Sequence, residues 1–199
     1  MYPVLKKYLE DEGFIVKAEV NNIDIVAKKG DLVLGIEMKT SFSTKLIYQG
    51  IKRTHILDYV YLAIPKPTSK ILKSKNFKEK RTIARRLELG LLLVDLSSNE
   101  VDVNIDPKTY HFRKNKKKKQ KLLKEFNLRK TSVNVGGVTK TKIITAYREL
   151  ALLALSELYV EPRTTKYLRE YTKRKKIVDI MQKNYYGWFE RVTRCTYKI

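Results

Sequence analysis

Apolar residues follow a helical period at the start of the chain and an alternating period after it. Four apolar residues at helical spacing indicate a first helix, and these are Val4, Leu5, Tyr8 and Leu9. Pro3 suits the first turn of this helix, and Gly13 follows as a stop. Three β-rich runs come next, FIVKAEV, IDIVAKK and LVLGIEMKT, joined by Asn21-Asn22 and by Lys29-Gly30-Asp31. Both joints favour hairpin turns, so the pattern predicts an antiparallel meander of three strands behind the helix.

The pattern then alternates between helix and strand. A helix is predicted over about 43–58 with Ser43 as its N-cap, and YVYLAIP is a strand that Pro65 ends. Residues 78–89 have a helical pattern, and LLLVDL is an apolar run typical of strands buried on both faces. The order α, β, β, β, α, β, α, β predicts an α/β fold in which helices flank a mixed sheet.

The last third of the chain predicts three helices and a short ribbon. Residues 139–158 form a long amphipathic pattern, Thr164 or Thr165 caps a short helix, and 175–184 form a third helix. The final run WFERVTRCTYKI alternates large apolar with polar residues, as in a hairpin. Three helices followed by such a ribbon resemble a winged helix-turn-helix. The alternative is a helical subdomain that only supports the sheet.

The chain of 199 residues has a net charge of +22, and its positive charge is concentrated in the second half. Residues 1–110 hold 19 basic and 14 acidic residues. Residues 111–130 hold 10 basic residues and 1 acidic residue, and residues 131–199 hold 14 basic and 6 acidic residues. This distribution predicts two domains, 1–110 and 131–199, joined by the basic connector 111–130. The C-terminal charge would concentrate a polyanion, of which nucleic acid is the commonest. The alternative for Lys116 to Lys119 is that they form only a solvated linker and do not bind a polyanion.

The composition also excludes several kinds of site. The single cysteine, Cys195, cannot form an intrachain disulfide or a cysteine-based zinc site. His55 and His111 have no catalytic neighbours at a suitable spacing, so structural roles are favoured. Gly136-Gly137 lacks the Lys-Ser/Thr of a phosphate loop and is predicted to be a turn. No run approaches the ~18 apolar residues of a membrane span, so we expect a cytoplasmic protein with no membrane partner.

Three charged residues of the meander carry the candidate chemistry. Asp24 interrupts the apolar second strand, and Glu37 and Lys39 project to one face of the third, where Gly35 leaves space. An unpaired carboxylate in an apolar strand is costly unless it binds a cation or a donor. Two carboxylates, the Met38 carbonyl and water suit Mg²⁺ or Mn²⁺, which polarises a phosphate and activates water, while Lys39 stabilises developing charge. An ordinary charged network on an exposed sheet face is the alternative.

The order of these elements resembles the core of PD-(D/E)XK nucleases, and GFIVKAEVNNIDIVAKKGDLVLGIEMKT looks like archaeal Holliday-junction resolvases. Further segments are similar to a bacterial family of unknown function described as PD-(D/E)XK phosphodiesterases. These segments are TAYRELAL (145–152), Gly136-Gly137, IYQGIKR (47–53) and NYYGWFERV (184–192). This resemblance runs from the first helix to the final ribbon and implies a nuclease-like fold.

By the resemblance, Asp24, Glu37 and Lys39 occupy the three signature positions, and Ile23 replaces the signature proline. Similar nucleases also have a fourth acid as a metal ligand. The resemblance leaves this acid open between Glu19 on the first strand and Glu10 on the first helix, with Glu19 preferred. It also implies that two polar residues on the following helix, Gln49 and Arg53, reach the site or a phosphate. Solvation of the helix surface is the alternative for that pair.

We therefore predict a metal-dependent phosphodiester hydrolase, a nuclease that uses Mg²⁺ or Mn²⁺, with DNA as the favoured substrate. A non-catalytic DNA-binding regulator that retains the fold is the main alternative. A phosphodiesterase for small nucleotides would leave the C-terminal charge unexplained. The choice between DNA and RNA, the mode of cleavage and a homodimer are left open. The predicted nucleic-acid contacts of the C-terminal part are Lys175, Lys176, Lys183, Arg191 and Arg194.

Overall fold

The computed structural model describes residues 1–108, 115–137 and 141–199 and groups them into two compact units. The first unit is Met1–Asn127 with Ser132–Ile143, and the second is Leu128–Thr131 with Ile144–Ile199. The first residues of the predicted connector 111–130 lie outside the described residues, and so does His111.

A six-stranded mixed sheet is the centre of the first unit. Its strands follow chain order across the sheet and are β1 (Ile15–Val20), β2 (Ile23–Lys29), β3 (Leu32–Met38), β4 (Tyr59–Pro65), β5 (Gly90–Asp95) and β6 (Glu100–Ile105). β1 to β3 pair antiparallel as predicted, β3 to β5 pair parallel, and β6 returns antiparallel. Asn21 and Asn22 have φ values of 50° and 62°, which suit the first hairpin turn. Because β3 and β4 are parallel, their carboxyl ends meet at the same edge of the sheet.

Helices cover both faces of this sheet. α1 (Tyr2–Asp11) packs on one face, whose core includes Leu5, Ile25 and Ile36. The other face is covered by α2 (Thr44–Thr54), α4 (Lys75–Arg86) and α5 (Lys116–Leu128), and α3 (Ser69–Lys73) precedes α4. The hydroxyl of Ser43 accepts the N–H of Leu46 at 3.3 Å, so the predicted N-cap of α2 is confirmed. α2 ends earlier than predicted.

Three elements of the first unit were absent from the prediction. Val101, Val103 and Ile105 of the edge strand β6 alternate with polar residues, a strand pattern that the prediction overlooked, and α3 is only five residues long. α5 lies in the predicted connector, but its Leu122 and Phe126 are buried in the core of the first unit. Lys119 Nζ lies 2.9 Å from both carboxylate oxygens of Asp58. Residues 116–127 are therefore a packed helix and not a solvated linker.

The second unit consists of three helices and a small antiparallel sheet. Its elements are α6 (Ala146–Val160), β7 (Arg163–Thr164), α7 (Thr165–Thr172), α8 (Ile177–Lys183), β8 (Glu190–Arg191) and β9 (Thr196–Lys198). The strand order is β7-β9-β8. The prediction that the first of these helices begins at 139 is wrong in its described part, because the hydroxyl of Thr145 caps α6 by accepting the Arg148 N–H at 3.2 Å. Residues 139 and 140 lie outside the described residues.

The α/β class and the helix-flanked mixed sheet are confirmed. Three helices and a terminal hairpin are also present in the second unit, with a core that includes Ala154, Leu168, Ile180 and Phe189. Their assignment to a winged helix-turn-helix stays a prediction. Across the residues that the model describes, no helix combines the length and apolar character needed to cross a membrane.

Candidate functional site

Asp24 and Glu37 lie on the neighbouring strands β2 and β3. The paired register of these strands begins at Ile25 and does not include Asp24. Ile23 and Ile25 pack in the cores of opposite sheet faces, so regular strand alternation breaks at Asp24. The Asp24 carboxylate accepts the N–H of Met38, and its charge raises the pKa of Glu37. The structure therefore brings the two carboxylates within electrostatic reach of each other.

Glu37 is fully buried at 0% exposure and is held by two side chains of α2. Arg53 donates from Nε to Glu37 Oε1 at 2.7 Å, and Gln49 donates from Nε2 to Oε2 at 3.4 Å. The Arg53 guanidinium also donates to the carbonyl of Asn22, in the turn before Asp24. Since residues four apart share a helix face, one face of α2 presents both donors to Glu37.

The environment of the two carboxylates disfavours their ionised forms. Burial raises the pKa of Glu37 to about 7, and the nearby charge of Asp24 adds to this rise, while Arg53 and Lys39 oppose it. Burial also raises the pKa of Asp24. The Met38 N–H donates to Asp24 Oδ2 at 2.7 Å and opposes that rise. A cation in addition to Arg53 would stabilise the ionised forms of these two carboxylates.

Lys39 follows the last residue of β3. Its N–H donates to the carbonyl of Ala63 at 3.1 Å, which continues the pairing of β3 with β4 beyond Met38. Its positive charge lowers the pKa values of both Asp24 and Glu37, so the ammonium lies within electrostatic reach of the two carboxylates. All three signature residues therefore belong to one neighbourhood at the carboxyl end of β3.

The expectation that Gly35 leaves space beside the carboxylates is wrong. A Cβ atom at Gly35 would lie 2.3 Å from Cδ1 of Leu57 and 3.4 Å from Cγ2 of Ile23. Leu57 is fully buried, so its side chain fills the space that the missing side chain leaves. The glycine allows close packing beneath the site and does not open the site.

The two candidates for a fourth acid occupy different surroundings. Glu19 has a positive φ of 54°, and its carboxylate accepts the N–H of Gly137 at 2.9 Å. Glu10 is exposed on α1, which covers the sheet face opposite to Glu37, and lies 3.7 Å from Lys6. The structure does not bring Glu10 to Glu37, and it ties Glu19 to the Gly136-Gly137 segment.

Gly136 and Gly137 form a turn, as predicted, and Gly136 also packs against the same strand end. A Cβ there would lie 2.7 Å from the carbonyl oxygen of Asp24 and 3.0 Å from side-chain atoms of Met38 and Tyr2. Only a residue without a side chain fits this approach without a shift of the backbone. Sequence reasoning missed this contact, and the glycine pair was the sole signal of it.

The described residues contain no group of three or more His, Cys, Asp or Glu side chains placed to hold a metal ion. The donors near Lys39 are the carboxylates of Asp24 and Glu37 and the carbonyl of Met38. Mg²⁺ commonly uses one or two carboxylates and keeps several water ligands, so this oxygen set fits it. The buried Oε1 of Gln49 has no hydrogen-bond partner among the described residues and adds an acceptor beside Glu37.

The predicted nucleic-acid contacts of the second unit are all exposed. Lys175 and Lys176 precede α8, which begins later than predicted, and Lys183 ends it. The ammonium of Lys176 donates to Asp179 at 2.5 Å. Arg191 donates to the carbonyl oxygens of Thr193 and Arg194, so its side chain also stabilises the hairpin turn. Of these residues, Lys175, Lys183 and Arg194 are the ones whose side-chain charges have neither a carboxylate nor a carbonyl partner in the described part of the chain.

Two solved structures are similar to part of this chain. A protein of unknown function from Silicibacter pomeroyi is 17% identical, with a TM-score of 0.43, over 62% of this chain and 78% of that chain. A XisH family protein from Nostoc punctiforme PCC 73102 is 20% identical, with a TM-score of 0.39, over 53% of this chain and 98% of that chain. No curated protein sequence matches the chain significantly.

One family model matches residues 92–199, from within β5 to the end of the second unit. The matched segment includes α5, the Gly136-Gly137 pair and all elements of the second unit, and it begins after Asp24, Glu37 and Lys39. It extends over more than half of the chain and agrees with the family indicated by the sequence motifs. The chain therefore belongs to the family described as "Putative PD-(D/E)XK phosphodiesterase (DUF2161)".

Proposed function

We propose that this protein is a metal-dependent phosphodiester hydrolase that cleaves nucleic acid, with DNA as its substrate. The observation that carries the proposal is the fully buried carboxylate of Glu37, within electrostatic reach of Asp24 and Lys39 at the carboxyl end of β3. A buried acid pair with a neighbouring ammonium is costly in a purely structural role. The same arrangement suits a site where a cation and a phosphate bind together.

Asp24, Glu37 and the carbonyl of Met38 would hold Mg²⁺ or Mn²⁺. When bound, such an ion polarises a phosphate oxygen and lowers the pKa of a coordinated water. The carboxylates select a hard divalent cation because they offer oxygen donors, and no described cysteine or histidine lies with them in a metal-holding group. Glu19 as a further ligand remains part of the proposal, whereas Glu10 lies on the helix that covers the opposite face of the sheet.

The remaining side chains of the site would position the reacting groups and neutralise negative charge. Lys39 would orient the attacking water or stabilise the charge that develops at phosphorus, because an ammonium donates hydrogen bonds and cannot act as a ligand. Arg53 holds Glu37 in place through its 2.7 Å bond, and its second contact to Asn22 fixes the guanidinium beside the hairpin turn. The free acceptor of Gln49 is suited to a water or ligand proton near Glu37. Contact of Arg53 with a phosphate stays a prediction.

Nucleic acid is proposed as the substrate because of charge. The net charge of +22 favours association with a polyanion at a rate that depends on salt. The second unit, interpreted as a winged helix, would supply exposed cations at α8 and the β8–β9 hairpin. A small nucleotide substrate would need no such extended positive surface.

The direct test is cleavage by the purified full chain of supercoiled, linear, branched and single-stranded DNA, with Mg²⁺, with Mn²⁺ and with EDTA. We expect cleavage only with a divalent ion, and we expect Asp24→Asn and Glu37→Gln each to abolish it while thermal unfolding remains cooperative. Asp31→Asn is the matched control, because Asp31 is an exposed acid in the neighbouring β2–β3 turn. Cleavage that survives in EDTA or in either site variant would overturn the proposed mechanism.

A non-catalytic DNA-binding protein is a second candidate, favoured by the Arg53–Glu37 pair. The guanidinium already satisfies one carboxylate oxygen of Glu37 at 2.7 Å, as a structural ion pair would. In that case Asp24→Asn would leave DNA binding and biological activity unchanged, and no divalent ion would change the thermal unfolding midpoint. A rise of the midpoint with Mg²⁺ or Mn²⁺ that is lost in Asp24→Asn would exclude this candidate.

A further inference from the structure

We propose that α3 and α4 form a binding surface for the phosphate backbone of the nucleic acid, next to the candidate site. This surface, residues 69–86, is called the α3–α4 basic surface. The proposal rests on the proposed function, since it assigns a second contact region to the same substrate. The sum of 19 basic and 14 acidic residues over 1–110 does not reveal this surface.

The charge balance of the first 110 residues hides a strong asymmetry. The α3–α4 basic surface holds eight basic residues and one acidic residue, Glu79, and the remainder of 1–110 holds 11 basic and 13 acidic residues. The eight are Lys70, Lys73, Lys75, Lys78, Lys80, Arg81, Arg85 and Arg86. All the excess positive charge of this part of the chain therefore lies on two consecutive helices.

The packing of α4 directs much of this charge to solvent. Phe77 and Ala84 are the buried residues of the helix, and they lie seven positions apart on its inner face. Lys78 and Arg85 are also seven positions apart, and both are exposed on the outer face. Lys75 lies 3.9 Å from Glu79, and within the described residues the other basic residues of this surface have no ion pair. Cations without an ion pair in the protein are available to pair with the anionic groups of a ligand.

The surface also has a concave part where α3 meets α4. An open groove of about 660 Å³ is lined by Lys73, Lys75, Lys78, Glu79, Thr82 and Ile83. Three of these six side chains are ammonium groups, and one is a carboxylate. The three ammonium groups provide hydrogen-bond donors for phosphates along the rim of this groove.

Two contacts of the fold place this surface near Lys39. β3 and β4 are parallel, so Lys39, which follows β3, lies at the sheet edge from which the chain leaves β4 toward α3. Phe42, three residues after Lys39, meets Phe77 of α4 edge to face, with ring centroids 5.6 Å apart. The loop that leaves the candidate site is thus anchored directly to the basic helix.

The length of the surface fits an extended polyanion. From Lys75 to Arg86 a helix rises about 16 Å, which is roughly five nucleotide steps along one strand of a duplex. A small anionic ligand would need a few converging groups, whereas this row of cations is spread along the helix. The row therefore suits a backbone that continues away from the site.

The test measures binding of a 20-base-pair DNA duplex to the full chain in EDTA, over a range of salt concentrations. K78Q/R85Q should lower the magnitude of the salt slope by about 1.8, because each lost phosphate contact lowers it by about 0.9. This corresponds to roughly tenfold less affinity lost between 50 and 200 mM salt. The matched control is K6Q/K7Q, which removes two charges from α1 on the other face of the sheet, and it should keep the wild-type slope.

Two outcomes would overturn the proposal. One is a wild-type salt slope in K78Q/R85Q, which would also be the result if the surface serves an acidic protein segment. The other is an equal decrease in both double variants, which would show that overall charge and not this surface determines binding. Because no metal is present and no cleavage is measured, failure here leaves the proposed hydrolase activity to its own test. Circular dichroism of both variants checks that α4 remains folded.

Discussion

At the scale of single residues, the consequence of burying Glu37 can be measured without a substrate. The carboxyl group has no exposed surface, and its principal donor is the guanidinium of Arg53. Burial favours the protonated carboxyl, which the raised pKa of about 7 expresses. A folded protein with such an acid binds a proton more tightly than the unfolded chain does.

This difference predicts a stability loss with rising pH in the metal-free protein. The Glu37 carboxyl has a pKa of 4.5 in the unfolded chain and of about 7 in the folded one. Its proton stabilises the fold fully below about pH 4.5, and the contribution is lost as pH rises through 7. The difference amounts to about 3 kcal/mol. Urea unfolding in EDTA at pH 5 and pH 8 measures it, and Glu37→Gln should remove most of the decrease.

The control for this experiment is Glu12→Gln, since Glu12 is exposed at the end of α1. It should show the wild-type decrease between pH 5 and pH 8. If Glu37→Gln shows the same decrease as the wild type, the buried carboxylate does not have the raised pKa described above.

The order of the strands was sufficient to predict that Asp24 and Glu37 lie near each other, because both belong to one meander. Strand alternation alone was not, because Ile23 and Ile25 pack on opposite faces of the sheet. The partners of Glu37 were harder to predict. Gln49 and Arg53 were identified only as one face of a helix, and their direction depends on how α2 packs. Leu57 fills the space beside Gly35, and Gly136 approaches Asp24. Both contacts join segments that are distant in the sequence, so no local pattern predicts them.

At the scale of elements, α5 shows how charge can hide an amphipathic helix. Its sequence KKKKQKLLKEFNL was interpreted as a connector because of its lysines. Leu122 and Phe126 nevertheless lie four residues apart and bury one face in the core of the first unit. Lys17 strengthens this docking, because its ammonium donates to the Phe126 carbonyl at 2.7 Å and lies 4.8 Å from the ring centroid. Deleting this segment would therefore remove core as well as charge.

Phe126→Ala should destabilise the first unit by about 3 kcal/mol or more, since truncation of a buried aromatic residue leaves a cavity. Lys124→Ala is the matched control on the exposed side of α5 and should change the free energy of unfolding by less than about 0.5 kcal/mol. Chemical denaturation of both variants gives the comparison. Equal stability of the two variants would mean that α5 is a linker after all.

At the scale of the whole molecule, the sequence predicted the net charge but not its arrangement. Sums over residues 1–110 averaged the basic α3–α4 surface with a remainder that holds slightly more acidic than basic residues. Only the order of elements at the sheet edge revealed the place of this surface. The second unit presents a comparable problem, because many of its basic residues share two helices and a hairpin. The structure separates them by their partners: Lys176 bonds to Asp179, and Arg191 bonds to backbone carbonyls.

Lys175 and Lys183, before and at the end of α8, are therefore the best candidates for phosphate contacts of this helix, and Arg194 is the candidate of the hairpin. If α8 acts as the recognition helix of a winged helix, K175Q/K183Q should lower the magnitude of the salt slope of duplex binding by about 1.8. K166Q/R169Q removes the same charge from exposed positions of α7 and should leave the slope near the wild-type value. Titrations at several salt concentrations measure both. Equal slopes in the two variants would indicate that the second unit attracts DNA only through its overall charge, and the recognition-helix assignment would then be wrong.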